Sequence, residues 1–317
     1  MEGDGSMADY IENVKTILEN EYFSKDNGWN IVIKDSNKNN GVTISGITII
    51  NDRQTAAPVF YIDGYLENGY TEEATAQAIY ENYLRHTKEI EQMNKNQLLN
   101  RLSKFDNVKD YICYKIVNTQ ANQKLFQNAP HFTINNDLSV MYYLKVDRDA
   151  TATITNQMLD LWGIDKKQAV SKLWDYAYKN TKEQNPPDFF NLMDKLFPEM
   201  EKSDADSNLY VLSNKDRTYG ASVILYDNTE ILKDCLQKIK DETNNHYAGL
   251  YILPSSIHEL IVVPDSGDMD KNYLMQMVRE VNSSEVRPEE RLSDNVFYFD
   301  TDKGFRQITQ SEKEISR

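Results

Sequence analysis

Cysteine, histidine, positive charge and long apolar runs are what this chain has least of, and each shortage closes a class of function. Two cysteines, Cys113 and Cys235, and four histidines occur in 317 residues. The cysteines are far apart and neither belongs to a CxxC or CxxH spacing. Two buried thiols in a reducing compartment are therefore expected, rather than a disulfide framework or a zinc site. No apolar run approaches the length of a bilayer span, and mean hydropathy is -0.66. Lys and Arg total 35 against 50 Asp and Glu, a formal charge of -15. That balance repels phosphate backbones and anionic lipid, so neither nucleic acid nor a membrane is an expected partner. The opening MEGDGSM has no basic or apolar segment of the signal-peptide kind, and Met7 is a candidate native start. A soluble, cytoplasmic protein is expected.

Catalytic signatures are missing as well. There is no GxxxxGK, no GxGxxG, no HExxH and no GxSxG, which removes the usual grounds for a nucleotide-dependent or zinc-protease reading. The run Asp265-Ser-Gly-Asp268-Met-Asp270 gathers three carboxylates, but a calcium loop counted from Asp268 puts Tyr273 where the turn glycine belongs and Arg279 where the bidentate Glu belongs. Capping of a following helix by Asp270 explains the run better. No cofactor and no metal are expected.

What is present is enough to fold. Hydrophobic residues make up 40% and aromatics 11%, with 20 Tyr, which excludes a mainly disordered chain. The length exceeds what one core usually serves, so two unequal lobes are expected, 8–105 and 106–300, followed by a loose tail, 301–317. The N-terminal part reads as a helix over 8–22, strands at 29–34, 41–50 and 58–62, and a long helix opened by Thr71. A bulge is expected at Ser45-Gly46, where the apolar alternation slips. The face of the long helix is Ala76, Ile79, Tyr83, His86, Ile90 and Met93.

Beyond 106, strands are expected at 108–117, 138–146, 151–154 and 209–212. Helices are expected at 118–128, at 155–162, from Asp165, over 189–200, and after Asp227 or Thr229. The centre of the second lobe is Gly249 to Asp265, GLYILPSSIHELIVVPD, two apolar runs flanking a polar break. Short apolar runs bounded by turn residues read as buried strands, and Pro254 cannot belong to a central one because it has no N–H to donate. A helix capped by Asp270 and a last strand at 295–299 complete the list of elements. Strands and helices mix without strict βαβ alternation, so the fold class is α+β, mixed sheets with packed helices.

The polar break holds the densest group of reactive side chains: Ser255, Ser256, His258 and Glu259. A nucleophilic serine would need the imidazole within hydrogen-bond reach and a carboxylate behind it. The S-x-x-E spacing of Ser256 and Glu259 also fits a capping box, which accounts for both residues without any chemistry. His131, after Pro130 at a loop edge, is a further binding candidate, although a lone histidine there is more often structural.

YILPSSIHELIVVPDSG, the helix LMQMVREVN and the ending VRPEERLSDNVFYFD, together with VKDYICYKIVN and LYVLSNKDRTYGASVILY, resemble a family of uncharacterised proteins from anaerobic gut bacteria known only as a domain of unknown function. Residues 138–300 more distantly resemble a second uncharacterised bacterial family. The resemblance implies a bacterial, intracellular protein and transfers no catalytic residues. Three readings of function follow. The first is a non-enzymatic interaction or regulatory protein with a protein partner, favoured by the abundance of tyrosine. The second is a hydrolase or small-ligand-binding protein using the Ser255, Ser256 and His258 loop. The third is an acidic decoy of a nucleic-acid-binding protein, weakened by lysines interspersed among the acids.

Overall fold

The strand-like stretches near the N-terminus form a three-stranded antiparallel meander, β1 (Trp29–Asn37), β2 (Thr43–Asn51) and β3 (Val59–Tyr61), in the order β1-β2-β3. The structure, a computed structural model, describes residues 4–51, 57–90, 102–145, 151–197 and 208–308. The chain divides into two compact units, Met1–Lys104 and Phe105–Arg317, and its class is α+β.

In the first unit, helices α1 (Asp4–Ile17) and α2 (Glu72–Ile90) pack with the meander around one core. Thr71 caps α2 by accepting a hydrogen bond from the Ala74 amide at 3.2 Å. Ala76, Ile79 and Tyr83 are buried with Ile31, Ile47 and Ile49, as the helical and strand periods require. The His86 side chain, Met93 and the polar stretch 94–100 lie outside the described residues. The expected bulge at Ser45-Gly46 does not form. The register runs unbroken from Trp29↔Asn51 to Asn37↔Thr43. The slip in the apolar pattern arises because Ile44 belongs to the opposite face from Ile47 and Ile49. Gly46 is needed for a different reason: a Cβ there would meet Val59 Cγ1 at 2.6 Å.

The second unit carries two sheets. β4 (Ile112–Asn118), β5 (His131–Thr133), β6 (Leu138–Lys145) and β7 (Thr151–Thr153) form one, with β4 on one side of β6 and both β5 and β7 on the other. Helix α3 (Lys166–Gln184), capped by Asp165, lies on this sheet. Tyr114 stacks near Tyr178 and Trp174, and the Tyr142 hydroxyl donates to Val170 O. The second sheet adds β8 (Pro187–Asn191), β9 (Tyr210–Asn214), β10 (Leu250–Leu253), β11 (Leu260–Pro264), β12 (Phe297–Asp300) and β13 (Gly304–Gln307). Its order is β13-β12-β10-β11-β9-β8, antiparallel throughout. The two runs flanking the polar break are thus its two central strands. Helix α4 (Glu230–Thr243) precedes them. Helix α5 (Lys271–Ser284) is capped by Asp270, whose carboxylate accepts from the Asn272 amide at 2.8 Å, and packs Leu274, Met275 and Val278 onto Tyr251, Leu253 and Val263.

Three expectations need correction, and a fourth gains detail. Residues 187–191, read as outside or at the start of a helix, are edge strand β8, and the helix is reduced to Leu192–Leu196. Proline is tolerated at the start of an edge strand, where its missing N–H breaks no ladder. His131 keeps its place at a loop edge, as the first residue of β5 directly after Pro130, and pairs with Met141. Neither Asp227 nor Thr229 caps α4 through its side chain, and the Asp227 carboxylate instead accepts from Lys182 at 2.5 Å. The tail is not loose from 301: β13 pairs with β12, Phe305 stacks on Phe297 at 5.1 Å, and Ile308 is buried in the core under α5. Residues 309–317 lie outside the described residues.

Candidate functional site

Pro254 ends β10 and the chain then runs through an irregular turn before β11 begins at Leu260. Its backbone groups are taken up by the segment preceding β12. The Ser293 amide donates to Pro254 O, the Leu292 amide to Ser255 O, and the Ile257 amide to Glu290 O, at 2.8 to 3.0 Å. This pairing satisfies polar groups that would otherwise be stranded between two buried strands. Ser255 is buried as a consequence.

The capping box does not form, because no helix follows Ser256. Its hydroxyl accepts from the His258 amide at 3.0 Å, two residues on, which is the geometry of a serine turn. Glu259 points elsewhere and pairs with Arg217 at 3.5 Å. Ser256 Oγ thus engages the backbone of His258, not its ring. The ring stacks on Tyr219 with centroids 5.7 Å apart. Nδ1 lies 3.1 Å from Arg217 O and 3.2 Å from the Tyr219 amide, while Nε2 is 3.7 Å from Glu290 Oε1. One nitrogen cannot serve both backbone groups at once. A neutral ring carrying its proton on Nε2 accepts the Tyr219 N–H, and a protonated ring donates to Arg217 O while facing the Glu290 carboxylate.

The partner segment of the break is the turn after β9. Arg217 and Tyr219 both have left-handed backbones, φ 55° and 51°, conformations that non-glycine residues hold only when the surroundings enforce them. Asn214 enforces them here: its side chain donates to Thr218 O at 2.8 Å and accepts from the Thr218 amide at 3.2 Å. Arg217 is further tied to Asp188 at 2.8 Å and lies over the Phe190 ring. Ser213 Oγ donates to His258 O at 2.7 Å. Gly220 sits so close to this contact that a Cβ would fall 2.3 Å from His258 O.

His131, the remaining sequence candidate, is in the other sheet. Its Nδ1 donates to Ala129 O at 3.1 Å and its ring stacks on Phe126 at 4.0 Å. None of the contacts described joins it to the break. The structure therefore gathers Ser256, His258 and Glu259 with Arg217, Tyr219 and Glu290, residues that local spacing could not have linked.

A different feature of the first unit escaped the sequence reading. Tyr61, Gly64, Tyr65, Asn68 and Tyr70 line an open groove of about 620 Å³. The Tyr65 and Tyr70 rings meet edge-on at 5.5 Å, and the Tyr65 hydroxyl accepts from Asn82 at 3.1 Å. Tyr61 and Tyr70 are exposed. Burial acts to raise the Tyr61 phenol, but hydrogen bonds from Lys38 and Ser36 and the charges of Lys38 and Lys34 outweigh it and hold the phenol below its ordinary range. The signal was present in the sequence as three tyrosines within ten residues, FYIDGYLENGY, flanked by turn-forming Gly and Asn.

Among the described residues no helix is long and apolar enough to cross a membrane, and no group of three or more His, Cys, Asp or Glu could hold a metal ion. The model of a family of unknown function, DUF5688, matches residues 7–301. No curated protein and no solved structure matches the chain.

Proposed function

We propose, for a chain that belongs to DUF5688 and inherits no chemistry from it, that the protein is a non-enzymatic interaction protein whose recognition surface is the tyrosine-walled groove of its first unit. The observation that carries this reading is the convergence of Tyr61, Tyr65 and Tyr70 on one open groove. Tyrosine offers a large contact area at little rotameric cost and is enriched where proteins bind one another. The occupant is an extended segment of a partner protein. β3, which carries Tyr61, is the short outer strand of the meander, and an outer strand offers a row of backbone donors and acceptors to an added strand. A bacterial, cytoplasmic setting belongs to the same reading, supported by two buried cysteines that are not disulfide-bonded.

The hydrolase alternative needs a serine hydroxyl delivered to an imidazole. Ser256 Oγ accepts instead from a backbone amide, and the contacts described for the His258 ring are to backbone groups, Tyr219 and Glu290. Affinity capture from native lysate, with the wild type beside Tyr61→Ala and Tyr70→Ala, tests the interaction reading. The expected result is a reproducible protein partner that both exposed-tyrosine variants lose while their circular dichroism is unchanged. Capture that is the same for all three proteins would overturn it.

A further inference from the structure

We propose, building on the tyrosine-walled groove as the recognition surface, that the segment it receives is acidic: an extended stretch of a partner protein that sets an Asp or Glu beside Tyr61 and an apolar side chain beside Val59. The outer face of the meander carries the chemistry for this. In the register, Lys34, Gly46 and Tyr61 form one row across the three strands, and Val32, Thr48 and Val59 form the next. Cross-strand partners project to the same face, so Lys34 and Tyr61 stand on one side of the sheet with only a glycine between them. The Tyr61 ring leans over that glycine: a Cβ on Gly46 would lie 3.2 Å from Tyr61 Cδ1. Lys38, in the turn between β1 and β2, brings its Nζ over the same ring, 3.5 Å from the centroid.

These two lysines go against the character of the chain. Its net charge is -15, yet between Trp29 and Asn51 there are two cations, Lys34 and Lys38, and one carboxylate, Asp35. Asp35 is opposite Ser45 in the register, on the other face, and accepts a hydrogen bond from the Ser45 hydroxyl at 2.6 Å. Lys34 is exposed and Lys38 half-buried, and neither forms an ion pair among the described residues. Partial burial acts to raise the Tyr61 phenol, yet Lys38 and Ser36 as hydrogen-bond partners and the charges of Lys38 and Lys34 hold it below its ordinary range, so the field at the ring is positive.

A strand added to β3 puts one side chain beside Tyr61 and, two residues along, another beside Val59, both on this face. A carboxylate in the first place meets the Lys38 ammonium at the ring and lies in the field of Lys34. An apolar side chain in the second meets Val59, and the exposed Val32 and Ile50 extend that surface across the sheet. A basic segment would be repelled by the same lysines, so the pair selects as well as attracts.

Short random peptides displayed on phage are selected on the full chain, and the enriched sequences are synthesised with a fluorescent label and titrated by anisotropy. Wild type is compared with Tyr70→Ala, which removes a wall of the groove, and with the double variant Lys34→Gln, Lys38→Gln, each checked by circular dichroism. The enriched peptides are expected to share an Asp or Glu two residues from an apolar side chain, to lose affinity as sodium chloride is added, and to bind the double lysine variant at least about fivefold more weakly. Changing the peptide's acid to its amide should weaken wild-type binding to the same degree and make no further difference on the double variant, since the two sets of charges meet each other. The peptide change on wild type also reads the contact if the lysine changes disturb the fold. Neutral or basic enriched peptides, or acidic ones that the double variant binds equally well, overturn the acidic partner; if those peptides are still lost by Tyr70→Ala, the groove keeps its role as a recognition surface. Enrichment indifferent to Tyr70→Ala, or no enrichment on wild type, overturns both.

Discussion

Ser256 and Glu259 look like a matched pair in sequence and behave as two unrelated residues in the fold. Ser256→Ala removes the acceptor for the His258 amide and should cost about 1 kcal/mol, the usual net worth of such a bond. Glu259→Ala breaks only a half-buried ion pair with Arg217, at 3.5 Å, and should change stability by less than about 1 kcal/mol. A capping box would make the two losses comparable, so urea unfolding of both variants separates the geometries. Gly220→Ala is the harsher change at the same junction. A methyl group there would overlap Ser213 Oγ, His258 O and the Asn214 amide. Two of those three are backbone atoms that cannot swing aside, and the overpacking should cost about 3 kcal/mol. A Gly220→Ala protein that melts like the wild type would mean the two loops are not in contact. Of the candidate site residues, Ser255, Ser256, His258 and Glu259 were visible as a cluster because they are adjacent in the chain. Arg217, Tyr219 and Glu290 were not, since they reach the break only through β-sheet pairing across tens of residues.

Elements with an uninterrupted period were readable from sequence, and those set by their neighbours were not. The hairpin of β10 and β11, the meander, and α3 and α5 with their aspartate caps each carry their own signal in apolar spacing and cap chemistry. β5, β8 and β13 are short or outer strands whose sequences, HFT, PDFFN and GFRQ, show little period of their own. They become strands because an adjacent strand offers unpaired backbone groups and a place to bury one face. β13 makes this testable. Gly304 takes φ 70° in the turn, the Asp300 carboxylate accepts from the Asp302 and Lys303 amides, and Ile308 closes the core beneath α5. Truncation after Lys303 removes Ile308 from the core and uncovers the edge of β12, and should lower stability by about 2 to 4 kcal/mol, the scale of losing a buried isoleucine together with its strand. Hydrogen exchange should show protected amides at the β12-paired positions of 304–308. A truncated protein as stable as the full chain would return these residues to a loose tail.

At the scale of the whole molecule, tyrosine is the dominant buried polar group. Burial, aided by the Asp265 carboxylate, pushes the Tyr251 phenol up to about 12. Burial is also the main reason that Tyr114, Tyr142, Tyr143, Tyr226 and Tyr298 titrate above their ordinary range. Unfolded phenols ionise near pH 10. Below that pH both states keep their protons and this stabilisation is fully present. Above it the unfolded chain releases protons that the folded chain retains, so stability falls with rising pH, by about 1.4 kcal/mol per pH unit for each such tyrosine until its folded value is reached, near 12 for Tyr251. Phenolate absorbance should therefore rise in two stages above pH 10, exposed tyrosines first and the buried set together with cooperative loss of circular dichroism. Ionisation of every tyrosine in a still-folded protein would contradict the packing. The sequence by itself determined the class, the acidic charge, the two central strands and the capped helices, because these depend on composition and on periods repeated within one segment. Only the tertiary structure decided that Ser256 serves a turn, that three tyrosines converge on one groove, and that Arg217, Tyr219 and Glu290 meet the His258 ring. Each of those facts depends on which distant residues pairing and packing bring alongside, and no spacing along the chain encodes that.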